Sequence, residues 1–156
     1  MAPDDRPDDG LDAIDRRLLT LLQEDGRLPY SDLAADTGLS SGAARARVLR
    51  LQERGILRIV GVTDPLELGY RSMAMLAVSV EGDVDAVADA LGALDAVIYL
   101  VVAAGSADLL VEVIAPDTDA LYDVVNRQIR TVPGVRGIET YSYYRTHTHR
   151  FTWGTR

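Results

Sequence analysis

The hydrophobic spacing of this chain changes once, near Ile56, and that change most limits what it can fold into. Before it, apolar residues recur at helical steps. Leu11, Ile14, Leu18, Leu21 and Leu22 mark one face of a helix from about Asp12 to Glu24, with Gly26 as its stop. A short second helix, SDLAADT, opens at Tyr30 or Ser31, turns Leu33 and Ala34 inward and ends at Gly38. Ser40 is placed to cap a third, SGAARARVLRLQER, which buries Ala44, Val48 and Leu51 and ends at Gly55. Three short helices with a Gly-Leu-Ser turn between the second and third fit a helix-turn-helix.

After Ile56 the period shortens. ILRIVGV reads as a linking strand and DPLELGY as a turn-rich linker. SMAMLAVSV, VIYLVVAAG, ADLLVEVIA and the long alternating VRGIETYSYYRTHTHRFTW read as four further strands. Two helices are interleaved with them. One is capped by Asp83 with Val84, Val87, Ala88, Leu91 and Leu94 inward; the other is capped by Asp117 with Leu121, Val124, Val125 and Ile129 inward, stopped by Pro133 and Gly134. Both helices open with D-x-D-A, a weak internal repeat. Two strand–helix–strand units make β-α-β-β-α-β, a ferredoxin-like arrangement whose second sheet face is left as an association surface.

The expected fold is therefore α+β: a helix-turn-helix (winged-helix-like) domain followed by a ferredoxin-like domain. The expected divisions are a disordered tail over 1–10, a helical domain over 11–56, a linking strand and linker over 57–71, and the second domain over 72–156. The tail, MAPDDRPDDG, is acidic and lacks the apolar stretch of a secretory signal, and no apolar run reaches the ~18 residues of a membrane span. A cytoplasmic protein without membrane contact is expected. With no cysteine, disulfide scaffolds, thiolate metal sites and cysteine nucleophiles are excluded.

Net charge is -8, which taken whole argues against nucleic acid. Every base is arginine, however, and residues 40–58 hold five arginines and one glutamate, a net of +4. On a helical wheel Ala44, Val48 and Leu51 share the inner side of the third helix. The outer side is centred on Gly42 and Ala46, flanked by Arg45 and Arg50, with Arg47 and Arg54 further round. Small residues permit close backbone approach, and guanidinium groups pair bidentately with guanine or phosphate. Ser40 and Ser41 stand at the helix start, where phosphate is favoured. An arginine-rich helix can also be a merely solvated face. Segregation of the arginines within an acidic chain, on the helix after the turn, favours double-stranded DNA as partner.

At these residues the chain resembles the Lrp/AsnC ("feast or famine") family of transcriptional regulators. LDAIDRRLLTLLQEDGRLPYSDLAADTGLSSGAARARVLRLQERGIL resembles the family's L-D-x-x-D-x-x-I-L, L-A-x-x-x-G-L-S and R-V-x-R-L-x-x-x-G-I-I patterns. AAGSADLLVEV resembles its G-x-x-D-hydrophobic motif, followed by TVPGV and ETYSYY. The likeness spans about residues 11–150. Departures are Gly42 where Ser or Thr is frequent, Ala44 where Val is frequent, and small residues at Ser106 and Ala107. The resemblance implies a DNA-binding regulator that forms homodimers, often octamers, through its ferredoxin-like domain. It needs no cofactor but responds to a small-molecule effector, an amino acid or related metabolite, bound between neighbouring subunits. Carried over residue by residue, the effector turn is Gly105, Ser106, Ala107 and Asp108. Ala103, Ala104, Thr140, Tyr141 and Ser142 match positions lining or bordering the pocket.

On the residues alone Asp108 has two readings. Its carboxylate could bind an α-ammonium while N–H groups around Gly105 take an α-carboxylate, or it could simply cap the turn. The resemblance favours the ligand role. His147 and His149 share a face of the last strand with Tyr141, Tyr143 and Arg145. An H-x-H pair can ligate metal, but with no third histidine a solvated or subunit-contact strand end is favoured and no metal site is expected. No nucleophile–base pair or phosphate loop is present, so no catalytic residue is assigned. Two alternatives remain at this stage: an enzyme on the same architecture, similar to sirohaem decarboxylases, and a ligand-binding assembly module that no longer binds DNA.

Overall fold

The computed structural model describes residues 10–148; residues 1–9 of the expected tail, and His149 with the last residues of the expected final strand, lie outside them. The chain divides near Val62 into two compact units, each with its own core.

The first unit holds α1 (Ala13–Glu24), α2 (Tyr30–Thr37) and α3 (Ser41–Glu53). Asp12 caps α1 by accepting from the Asp15 N–H at 2.7 Å, and Ser40 caps α3 by accepting from the Ala43 N–H at 3.2 Å. Gly38 ends α2 with φ at +70°, a left-handed conformation that side chains resist. Gly26 does not play that part for α1, which ends at an extended Asp25. Leu18, Leu22, Leu33, Ala44, Val48 and Leu51 meet in the core, together with Leu19 and one charged residue, Asp15.

Residues 57–64 are not a strand, contrary to the alternation of ILRIVGV, and a turn follows. Alternation marks a segment that can pair, but a strand also needs a neighbour with unpaired backbone groups, and no segment among the described residues pairs with it. Leu57 joins the helical core, while Ile59, Val60 and Val62 are exposed.

The second unit is β1 (Ser72–Val80), α4 (Val84–Gly92), β2 (Val97–Val102), β3 (Leu109–Ala115), α5 (Thr118–Asp123) and β4 (Val135–Ser142). The strands form one antiparallel sheet in the order β2-β3-β1-β4, with Val78 opposite both Leu109 and Ile138. This is the ferredoxin-like βαββαβ fold. Ala74, Leu76, Val78, Leu109, Val111 and Val113 face the helices and pack on Val87, Leu91, Leu121 and Ile129. Asp83 and Asp117 cap α4 and α5 through the Ala86 and Ala120 N–H groups.

Three boundaries differ from the sequence expectation. β2 stops at Val102, before Ala103–Gly105, and β4 stops at Ser142, short of the YYRTH run. The second helix passes from α5 into a π-helical turn over Val124–Ile129, in which the Arg130 N–H bonds the Val125 carbonyl at 3.0 Å. Five residues separate Val124 from Ile129, an angle of about 140° on an α-helix. The wider turn brings both onto the core side, and both are buried. Gly134 is required by geometry: its φ is +96°, and a Cβ there would lie 2.7 Å from Val87 Cγ2.

The other sheet face carries Tyr99 and Val101 from β2, Leu110, Glu112 and Ile114 from β3, Met73, Met75 and Ala77 from β1, and Glu139 and Tyr141 from β4. Tyr143, just past β4, donates from its hydroxyl to Glu112 Oε1 at 2.8 Å. Burial first, and that hydrogen bond second, push the Tyr143 hydroxyl up to about 12. Tyr141 donates to Glu139 Oε2 at 2.7 Å, which also raises its hydroxyl pKa.

Candidate functional site

The expected DNA-facing residues all lie at the start or along the length of α3, but they fall into two sets. Ser41, Gly42, Arg45 and Ala46 are exposed on its outer side. Ser40 already accepts from Ala43 as the helix cap, leaving its hydroxyl proton for a phosphate oxygen. Gly42 has an ordinary negative φ, and a Cβ there would meet nothing within 4 Å. Neither backbone nor packing asks for glycine here, and in a helix it costs about 1 kcal/mol relative to alanine. Nothing among the described residues explains the glycine.

Arg47 and Arg50 form the second set. Arg47 Nη1 donates to Asp12 Oδ2 and to Asp15 Oδ1, the latter at 2.9 Å, and its side chain is 25% exposed. Arg50 Nη2 donates to both oxygens of Asp15, at 3.1 and 3.0 Å. Asp15 is 1% exposed, so the two arginines are what compensate a buried charge. The Asp15 N–H, and then the Arg47 guanidinium, hold the Asp12 carboxyl below its ordinary pKa; Asp12, followed by Asp15, raises that of Arg47. Sequence reading missed Asp15 because a charged residue among periodic leucines defaults to solvent. The available signal was complementary spacing, D-x-x-D at 12 and 15 against R-x-x-R at 47 and 50, each one turn of helix.

The effector turn is also resolved into its parts. The Ala103 N–H donates to the Asp108 carbonyl at 2.8 Å, and the Asp108 N–H to the Val78 carbonyl at 3.0 Å. Asp108 Oδ2 accepts from the Val80 N–H at 2.7 Å. The turn is thereby tied to the end of β1, while Asp108 Oδ1 has no partner among the described residues. Ala104, Gly105 and Ser106 are exposed, and a Cβ on Gly105 would meet open space.

Thr140, Tyr141 and Ser142 are not beside this turn. They pair with Leu76, Met75 and Ala74. At about 3.3 Å per residue along β1, Ser142 lies about 20 Å from Val80. The three also point to opposite sheet faces: Tyr141 lies on the open face, and Thr140 and Ser142 on the face of Leu76 and Ala74. A single chain does not gather the expected pocket residues around one point. Among the described residues no three His, Asp or Glu side chains converge to hold a metal, and no helix is long and apolar enough to cross a membrane.

A helix-turn-helix with a basic third helix, joined to a ferredoxin-like unit with an anchored turn, defines a DNA-binding transcriptional regulator with a separate ligand-binding domain. Comparison with known proteins gives the family. The AsnC-type helix-turn-helix domain matches residues 11–52, and the Lrp/AsnC ligand-binding domain matches residues 73–153. The HTH-type transcriptional regulator AldR of Mycolicibacterium smegmatis is 33% identical over 135 residues, covering 83% of this chain and 79% of that one. AsnC of E. coli superposes with a TM-score of 0.82 at 24% identity, over 91% of this chain and 97% of that one. A transcriptional regulator of Neisseria meningitidis, solved as its L-Met complex, superposes with a TM-score of 0.82 at 23% identity, over 92% and 96%. This chain belongs to the Lrp/AsnC family of helix-turn-helix transcriptional regulators. These are regulators and not enzymes, which removes the decarboxylase alternative.

Proposed function

We propose that this regulator reads double-stranded DNA in the cytoplasm through α3, and that an amino acid or closely related metabolite bound at the Gly105–Asp108 turn changes its DNA binding or its assembly. The observation that carries the effector reading is the anchored carboxylate. Asp108 is fixed through Oδ2 to Val80, which leaves Oδ1 without a partner among the described residues in a turn whose Gly105 is exposed. A pre-positioned carboxylate suits an α-ammonium group, and nearby backbone N–H groups suit an α-carboxylate. The separation of Thr140–Ser142 from the turn supports a site completed by a neighbouring subunit. The open apolar sheet face supports a two-fold homodimer, with octamers built from dimers. On the DNA side, the exposed Ser41, Gly42, Arg45 and Ala46 form a surface with small residues at its centre and a guanidinium at its edge, which suits a major groove.

The test is a thermal-shift screen of the full-length protein against the twenty amino acids. A ligand at a hundred times its Kd stabilises by about 2.7 kcal/mol, a readily visible shift. A hit that also changes operator affinity supports the reading. If no amino acid shifts the transition and none alters DNA binding at millimolar concentration, the amino-acid assignment is wrong.

A further inference from the structure

We propose that Asp15 is a positioning residue that withholds Arg47 and Arg50 from DNA, leaving base discrimination by α3 to Arg45 and the small residues Gly42 and Ala46. This rests on the reading of α3 as the helix that enters the groove. Asp15 is 1% exposed and accepts three hydrogen bonds from two guanidinium groups, between 2.9 and 3.1 Å. Asp12 gives Oδ1 to the α1 cap and Oδ2 to Arg47, so two carboxylates face two arginines. Turning Arg47 or Arg50 toward a phosphate would strip compensation from a buried carboxylate, a change that strongly disfavours the swing. Arg45, by contrast, is exposed and has no hydrogen bond or ion pair with any described residue.

The arrangement has a consequence for specificity. Phosphate contacts by arginine raise affinity for every sequence alike, whereas base-edge contacts discriminate. Two long cations freed at the edge of α3 would add phosphate contacts and raise non-specific binding. Holding them against Asp15 keeps the interface narrow, so that Arg45 supplies the long-reach contact near a surface of glycine and alanine.

The experiment compares full-length wild type with Asp15→Asn, Arg47→Gln and Arg45→Gln. Binding is measured, across a salt series, to a duplex selected by wild type from a random pool and to a shuffled duplex of equal length. For Asp15→Asn, the slope of log K against log salt steepens by about 0.9 for each arginine released, an extra loss of about threefold each between 50 and 200 mM salt. Its affinity for the shuffled duplex rises at low salt, and the selected-to-shuffled ratio falls. Arg47→Gln keeps the wild-type slope and ratio, because that guanidinium was never on DNA. A folded Asp15→Asn with wild-type slope and ratio overturns the proposal. Should Asp15→Asn fail to fold, Arg47→Gln decides: a slope shallower by about 0.9 means that Arg47 was already on phosphate, and the proposal falls. Arg45→Gln separates this from the underlying reading. If it binds both duplexes as wild type does, α3 is not the recognition helix at all.

Discussion

Asp108 is the residue at which a structural and a sensing role can be pulled apart. Replacing it by alanine removes the acceptor of the Val80 N–H, leaving a half-buried donor without a partner. Such a loss costs about 1–3 kcal/mol, and the partial exposure of Asp108 places it in the lower half of that range. In a domain of this size each kcal/mol lowers the midpoint by about 4–8 °C. Asp108→Asn keeps an oxygen at the same place, so most of that stability returns, but the negative charge does not. If Oδ1 receives an α-ammonium, both variants lose a charge-assisted contact of about 1.5–3 kcal/mol, a tenfold or greater loss of ligand affinity. DNA affinity without ligand stays near wild type in both, since the helix-turn-helix has its own core. The ligand acts only by binding two arrangements of the protein unequally, so the response to ligand disappears with its binding. Calorimetric scans, ligand titration with the hit from the amino-acid screen, and DNA titration measure the three quantities. Asp108→Asn with undiminished ligand affinity would leave Asp108 as a tie between strands and move the site elsewhere. Asp108→Ala as stable as wild type would refute the energetic role given to the Val80 bond.

Gly42→Ala should have effects of opposite sign: the free protein gains about 1 kcal/mol of helix stability, while DNA affinity falls. A variant both more stable and equally tight on DNA would show that the glycine makes room for nothing. Gly134→Ala should cost about 2–4 kcal/mol, from left-handed strain and from a Cβ 2.7 Å from Val87 Cγ2. Gly105→Ala, with open space around it, should stay within about 0.5 kcal/mol of wild type, and urea titration of both glycine variants measures the two effects. Tyr143 ionises near 10 in an unfolded chain and at about 12 in the fold. Its contribution is therefore fully present below pH ~10 and disappears as pH rises toward about 12. Tyr143→Phe should flatten that part of the alkaline stability profile, and a profile parallel to wild type would count against the Glu112 contact.

Much of the fold was legible because local signals agreed with each other. Ser40, Asp83 and Asp117 each stand one residue before an apolar-periodic run, and each caps a helix by accepting an N–H three residues on. The buried sets of α3 and of the helix after Asp117 coincide with the residues read from the spacing. What failed was whatever depends on a partner that spacing does not reveal. Alternation over ILRIVGV and over residues 143–148 promised strands, but strand formation is decided by an available edge. The Asp15 partner of Arg47 was hidden for that reason: the position of Arg47 on the wheel is known from sequence, while its distance from Asp15 is not. Asp108 was ambiguous for the same reason, since the Val80 N–H that it holds lies 28 positions away in the chain.

The π-helical turn over Val124–Ile129 gives the second helix of the ferredoxin-like unit something that the first lacks, namely slack in length. Its ends are fixed by the Asp117 cap and by Gly134, and between them the chain fits a wider turn while keeping Val124 and Ile129 on the core. Deleting one residue there can be absorbed by tightening the turn to an ordinary α-helix. In α4, which is regular over its nine residues, the same deletion would rotate Leu91 by about 100° off the sheet. Deletion of a single residue should therefore be tolerated in one of these two helices and be strongly destabilising in the other, although both cover the same sheet.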